Sequence, residues 1–290
     1  MQTLPIPTRI TLRNILFATD FSDASRAAWP YARELARCYD GTIFLTHVVP
    51  YEPYLSVPFE PIPIDADFFW KREKQNMAEF VGTIEFNNVS HLEILQRGEL
   101  WETISRVINQ RQIDLIVAGT HGRHGFSKLV LGSSAEKIYR HAKCPVLTVG
   151  PSAANMCGRS WVPKRILFPT DFSETSLCAL PHALSLAEEN QATLIFLHLI
   201  PLLPVRDIET DAQERLHALM PDEPWCNPEF IVRGDFPGAG ILKLAREREA
   251  DLIVMGVGKP PAPALGSHLP WSIASDVVRQ APCPVLTVRG

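Results

Sequence analysis

The sequence predicts an α/β protein of two tandem domains, each an open parallel sheet flanked by helices, and three observations carry that prediction. Short apolar and β-branched runs alternate with longer amphipathic stretches, the pattern of strands joined by crossover helices. Runs such as ILFAT and LIVAG show no polar alternation, as strands buried on both faces should. The chain is also written twice: NILFATDFSDAS from Asn14 returns as RILFPTDFSETS from Arg165, 151 positions on (165 against 14). The match holds at TIFLTHVVP (Thr42 to Pro50) against TLIFLHLIP (Thr193 to Pro201). It returns with small slips at QRGE and VRGD, DLIVAG and DLIVMG, and CPVLTV in both copies. A period this long marks duplicated globular domains, since solenoid units run roughly 20 to 50 residues.

In order, the first copy gives a strand at 13–19, a helix at 23–39 and a strand at 42–49. Prolines at 50, 53, 58, 61 and 63 then deny the donors that a helix or ladder needs, which predicts an extended, stiff surface loop. Its aromatic residues Tyr51, Tyr54 and Phe59, with the later Phe68, Phe69 and Trp70, either pack on their own domain or form a lid or partner surface. There follow a helix at 66–83, a strand at 91–96, a helix at 100–111, a strand at 114–119, a helix at 133–142 and a strand at 145–149. Residues Pro151 to Val162 read as a linker, which sets the domains at 1–150 and 163–290. The second copy repeats the order, with strands at 165–170, 193–200, 229–233, 251–256 and 284–288.

Composition narrows the function classes. Net charge is -4, whereas coating nucleic acid or anionic lipid requires a basic excess. Met1 to Arg13 has no apolar signal core, and the longest apolar run, Thr193 to Val205, falls short of the roughly 20 residues of a membrane span. A cytoplasmic protein is therefore expected. Six cysteines without CxxC spacing predict reduced, mostly buried thiols.

The chemistry concentrates at AGTHGRHGFSKLVLGSSAEK, Ala118 to Lys137. In an open parallel sheet, ligands bind beyond the carboxyl ends of strands. Gly119 closes such a strand; with Gly122 it is expected to take left-handed angles that turn N–H groups toward an anion. Gly132 precedes a helix start, where unpaired N–H donors and the dipole favour phosphate, and Ser133 and Ser134 add hydroxyls. Asp20, at the end of the first strand, either accepts ribose or adenine hydrogens or, with Ser22, merely caps the next helix; on those residues alone, capping is the better reading. His121 and His124 are thin evidence for a metal, Ser134-x-x-Lys137 lacks a G-x-S-x-G elbow, and no Walker A or G-x-G-x-x-G motif occurs. Arg123 and Lys128 are candidates to offset triphosphate charge, and His47 and His198 read as strand-end histidines.

ATDFSDAS, THVV and the spacing Gly119-x2-Gly122-x9-Gly132-Ser133 resemble the universal stress protein family, in its ATP-binding subgroup, across nearly all of both halves. The resemblance implies Rossmann-like domains with strand order 3-2-1-4-5, which sets the first and fourth strands side by side. It implies adenine near Asp20 and Val48, ribose near Asp20 and Gly119, and a triphosphate at Gly122, Gly132, Ser133 and Ser134. Any Mg²⁺ is expected to ride on the phosphates. It also implies pairing through the last strand, which two copies satisfy internally as a pseudo-dimer; a homodimer and an unknown protein partner stay open.

In the second copy Asp171, Leu199 and Gly256 match Asp20, Val48 and Gly119. Counting back from CPVLTV sets Trp271 and Ser272 where Gly132 and Ser133 stand, a degenerate site stripped of donors by Pro260, Pro261 and Pro263. An alternative register aligns Leu265 to Ser267 with Leu131 to Ser133. The expected function is ATP-dependent sensing or regulation in stress response. A nucleotide-independent scaffold and a slow ATP hydrolase are the rivals, and no catalytic base is evident.

Overall fold

The structure, a computed structural model, describes residues 9–51, 54–55, 62–63, 65–120, 132–153, 161–200, 206–221, 227–258 and 270–290. The first half runs β1 (Asn14–Ala18), α1 (Asp23–Cys38), β2 (Thr42–Val49), the two-residue strands β3 (Tyr54–Leu55) and β4 (Ile62–Pro63), α2 (Ala66–Thr83), β5 (Ser90–Arg97), α3 (Leu100–Arg111), β6 (Leu115–Gly119), α4 (Ser133–His141) and β7 (Val146–Val149). The second runs β8 (Arg165–Pro169), α5 (Glu174–Leu177), α6 (Leu180–Asn190), β9 (Thr193–Ile200), α7 (Arg206–His217), β10 (Pro228–Gly234), α8 (Pro237–Glu247), β11 (Leu252–Val257), α9 (Pro270–Gln280) and β12 (Val285–Arg289).

The unalternating runs are central strands, with Ile15, Leu16 and Phe17 consecutively at 0% exposure because helices cover both sheet faces. Strand order is β5-β2-β1-β6-β7 and β10-β9-β8-β11-β12, which is 3-2-1-4-5 twice. The two final strands pair antiparallel, Leu147 opposite Leu286, so the halves form one ten-stranded sheet. Each strand also donates a hydroxyl across the seam: Thr148 Oγ1 to the Val285 carbonyl and Thr287 Oγ1 to the Val146 carbonyl, both at 3.2 Å. An apolar edge that would otherwise invite pairing with another chain is thereby closed.

Two local expectations change, those for the proline-rich loop and for the buried thiols. Within the proline-rich loop, Tyr54 and Leu55 do form an antiparallel rung with Pro63 and Ile62. Proline lacks the donor but keeps its carbonyl, and an edge position tolerates it. The stretch 151–162 is anchored at both ends: Ala153 and Trp161 are buried, and the Trp161 ring meets Tyr31 edge-on at 5.0 Å. Pro30 lies inside an unbroken α1, but its counterpart Pro181 falls in the first turn of α6, after a break that splits the second-half helix. Of the cysteines described, all free, Cys283 is buried, Cys144 and Cys178 are partly so, and Cys38 is exposed, against expectation.

Candidate functional site

β1 ends in a tight corner. Thr19 is buried; Phe21 donates its amide to Thr19 Oγ1 at 2.9 Å and adopts φ 65°, a left-handed angle that a bulky residue holds only where its surroundings enforce it. The enforcement comes from ring packing: the Phe21 ring lies tilted at 4.4 Å from the His47 ring and 5.7 Å from Phe80. Ser22 is the N-cap of α1, accepting from the Ser25 amide at 3.3 Å, and Asp20 Oδ1 accepts from the Ser22 amide and hydroxyl at 3.1 and 2.5 Å. The capping role foreseen for Ser22 is thus real, and the partly buried Asp20 braces the cap from the carboxyl end of β1.

β6 lies beside β1, with Ala118 opposite Ala18. Gly119 takes no left-handed angle, which corrects the expected anion nest at this residue. A Cβ there would lie 2.6 Å from the Ala24 carbonyl oxygen, so glycine is required for the strand end to touch the first turn of α1. From Thr120 the backbone is tied to the next helix, because the Gly132 amide donates to the Thr120 carbonyl at 2.7 Å. Gly132 is the N-cap of α4 in extended conformation (φ -60°, ψ 142°) and places no side-chain cap on the first-turn amides; Ser133 and Ser134 are exposed there. The N–H groups that a helix start leaves without intrahelical partners therefore face a glycine.

On the sheet face covered by α3 and α4, Ala18 and Val48 pack against an otherwise buried cluster that includes Leu16, Ile104 and Ile138, yet both keep partial exposure. They form a partly exposed apolar patch at the carboxyl ends of strands β1 and β2. Lys137 of α4 binds Glu99 Oε1 at 3.1 Å, so the lysine of Ser134-x-x-Lys137 serves an ion pair. The Glu102 amide, then the Lys137 ammonium, hold Glu99 below the usual carboxylate range. The structure thus brings Asp20, Val48, Gly119, Gly132, Ser133 and Ser134 to one end of the sheet. Gly122, His121, His124, Arg123 and Lys128 lie outside the described residues.

A residue that sequence reasoning missed sits below the corner. Glu73 of α2 is 0% exposed, with Oε2 at 3.3 Å from His47 Nε2 and 3.2 Å from Asn76 Nδ2. His47 Nδ1 donates to the Thr19 carbonyl at 2.7 Å, so the imidazole bridges α2 and the residue before Asp20. The available signal was position: Glu73 occupies the stripe of Met77 and Phe80, an anomalous carboxylate on an apolar helix face.

In the second half the corner is rebuilt around Asp171. Burial pushes its carboxyl up, but hydrogen bonds from the Ser173 hydroxyl and amide outweigh that and hold it below its ordinary value. A Cβ on Gly256 would fall 1.9 Å from the Thr175 carbonyl oxygen, again a packing requirement. Helix α9 begins at Pro270, which lacks an N–H, and Trp271 is its second residue. The helix ends match, Ala142 N to Ile138 O against Ala281 N to Val277 O, which sets Trp271 opposite Gly132; Leu265 to Ser267 lie outside the described residues. Pro260, Pro261 and Pro263 lie outside the described residues.

The Universal stress protein family model matches residues 11–150 and again residues 163–289. A universal stress protein of Methanocaldococcus jannaschii is 32% identical over 139 residues, 47% of this chain and 81% of that protein. One from Mycolicibacterium smegmatis is 25% identical over 297 residues, covering 95% of this chain and 96% of that one. The crystal structure of a universal stress protein from Archaeoglobus fulgidus shares the fold with a TM-score of 0.71 at 19% identity, over 97% of this chain and 99% of that one. Among the described residues no helix is long and apolar enough to cross a membrane.

Proposed function

Because this chain belongs to the universal stress protein family, with two copies of its domain in tandem, we propose that it binds ATP in the first half and acts as a nucleotide-dependent regulator of stress response. The observation that carries this reading is the glycine N-cap of α4, tied to Thr120 at the sheet end that also holds Asp20 and the partly exposed Ala18 and Val48. A flat purine suits the apolar patch, the Asp20 carboxylate suits ribose hydroxyls or an exocyclic amine, and bare helix amides with the Ser133 and Ser134 hydroxyls suit phosphate oxygens. In this reading the ribose lies near Asp20 and Gly119, whose missing side chain makes room for α1, and Gly122 and Gly132 meet the triphosphate, so occupancy acts on residues 122–132. Any Mg²⁺ would arrive on the phosphates, since this ion keeps several waters and takes few protein ligands.

The domains of this proposal are 1–150, which binds, and 163–290, whose site is degenerate, with residues 151–162 between them. Calorimetry of the full chain with MgATP is expected to give one site per chain. Gly132→Trp, which installs the second-half residue, is expected to weaken binding more than about tenfold, the scale of a lost anion-binding terminus with steric block. Unchanged affinity in that variant, or two equivalent sites, would overturn the proposal. AMP and cAMP as competing probes report which adenylate the site prefers.

A further inference from the structure

The helix that presents its amino end to the candidate phosphate site is held at its other end by the opposite half of the molecule. Arg289, the last residue of β12, donates from Nη2 to the Tyr139 carbonyl of α4 at 2.8 Å. Tyr139 is third from the end of α4, so its carbonyl lies in the final turn, at the negative pole of the helix. The guanidinium is half-buried at the negative end of the helix dipole. Apolar contacts run the same way, since Ala135 and Tyr139 are buried in a cluster otherwise made of second-half residues, among them Val277, Val278 and Val285.

The clamp is one-sided. In the repeat CPVLTVG and CPVLTVR, the position of Arg289 is occupied in the first half by Gly150. A Cβ on Gly150 would lie 3.9 Å from the carbonyl oxygen of Val278, which matches Tyr139 in α9, so the geometry for a reciprocal clamp exists without the side chain. Among the described residues, the last helix of the first half is clamped from the opposite half, whereas in α9 the Gln280 carbonyl accepts from Arg246 of its own half at 3.4 Å. The physical need is plain: α4 has nine residues, too few to be stable alone, and leaves its N-cap bare where a Ser, Asp or Thr would ordinarily stabilise it. Stabilisation forgone at one end is supplied at the other, and by a cation.

We infer that Arg289 is a positioning residue for the nucleotide site of the first half: the second half, with its own site degenerate, orders and polarises α4 for a phosphate-bearing ligand. This rests on the nucleotide reading above. The test uses the full chain, MgATP and adenosine as probes, and Arg289→Met and Arg289→Lys. Arg289→Met keeps the aliphatic stem and removes donor and charge; it is expected to weaken MgATP about three- to tenfold, the size of a helix-terminus charge effect, while leaving adenosine unchanged. Arg289→Lys is expected to recover most of that loss.

Equal weakening of both ligands would reduce Arg289 to general packing, and unchanged MgATP affinity would remove it altogether. Failure of lysine to recover any of the loss would overturn the role of charge. If the wild-type chain binds no MgATP, the nucleotide reading itself fails. The clamp is then judged by amide hydrogen exchange: faster exchange across α4 in Arg289→Met sustains it, and unchanged exchange overturns it.

Discussion

The two β-strand-to-helix corners of this chain correspond bond for bond. Thr19, Phe21, Ser22 and Ser25 make the contacts that Thr170, Phe172, Ser173 and Ser176 make, down to left-handed angles of 65° and 63° at the two phenylalanines. What surrounds the corners differs. His47 reaches a buried carboxylate, Glu73, whereas His198 keeps its bond to the Thr170 carbonyl and Phe172 is covered by the Arg215 guanidinium at 4.1 Å. α4 begins after a glycine and ends under Arg289, whereas α9 begins with proline and meets Gly150. Duplication kept every contact that closes the backbone and let the polar environment at the sheet end diverge. The corner is therefore a requirement of the fold, and the divergent groups are where a difference in function has to reside.

The largest test of that division is steric. Both strand-end glycines are held by close approach to a helix, and Gly256 is the tighter, with a Cβ 1.9 Å from a backbone oxygen against 2.6 Å at Gly119. Gly256→Ala is expected to cost about 3 kcal/mol or more, and Gly119→Ala somewhat less, as the helix must move in each case. Denaturant melts of both variants check the order; equal and negligible losses would show that the close approach is not needed in either half.

Next comes an acid effect confined to the second half. His182 occupies the repeat position of Tyr31, whose hydroxyl donates to the Ala153 carbonyl at 2.8 Å. Burial pulls the His182 imidazole down to about 4, and its Nδ1 has no hydrogen-bond partner among the described residues. Between an unfolded value of about 6.5 and that folded value, the unfolded chain binds a proton that the folded chain refuses. Stability is therefore expected to fall by about 3 kcal/mol as pH drops through that window. His182→Tyr is expected to flatten the decline in a pH series of melts; a slope as steep as the wild type's would assign it elsewhere.

The smallest expected difference concerns the histidines. His47→Ala removes bonds to both Thr19 and Glu73 and leaves a buried carboxylate, whereas His198→Ala removes one carbonyl bond. The first is expected to be the more destabilising by about 1–2 kcal/mol. Equal losses would mean that Glu73 contributes nothing to holding the corner that carries Asp20.

Much of this was legible in the chain. The unalternating strands, the repeat, the order 3-2-1-4-5 through family resemblance and the helix start at Ser133 all stand as read, because each depends on residues close in sequence or on a pattern repeated in it. Gly119 was found for the wrong reason: a glycine at a strand end signals freedom or close approach equally, and only the position of Ala24 separates them. Glu73 was visible as an oddity on an apolar stripe, but nothing in its neighbours named His47.

By itself, then, the sequence determined the duplicated parallel sheets and the end at which polar residues collect, since periodicity records which faces are buried. The join of β7 and β12 was foreseen through the resemblance, whereas tertiary structure alone decided its register, the place of Glu73 under the corner and the reach of Arg289 to α4. Those contacts link residues far apart in the chain through specific distances and directions. Side-chain hydrogen bonds act over about 3 Å, so no pattern along the sequence encodes them until packing has brought the elements together.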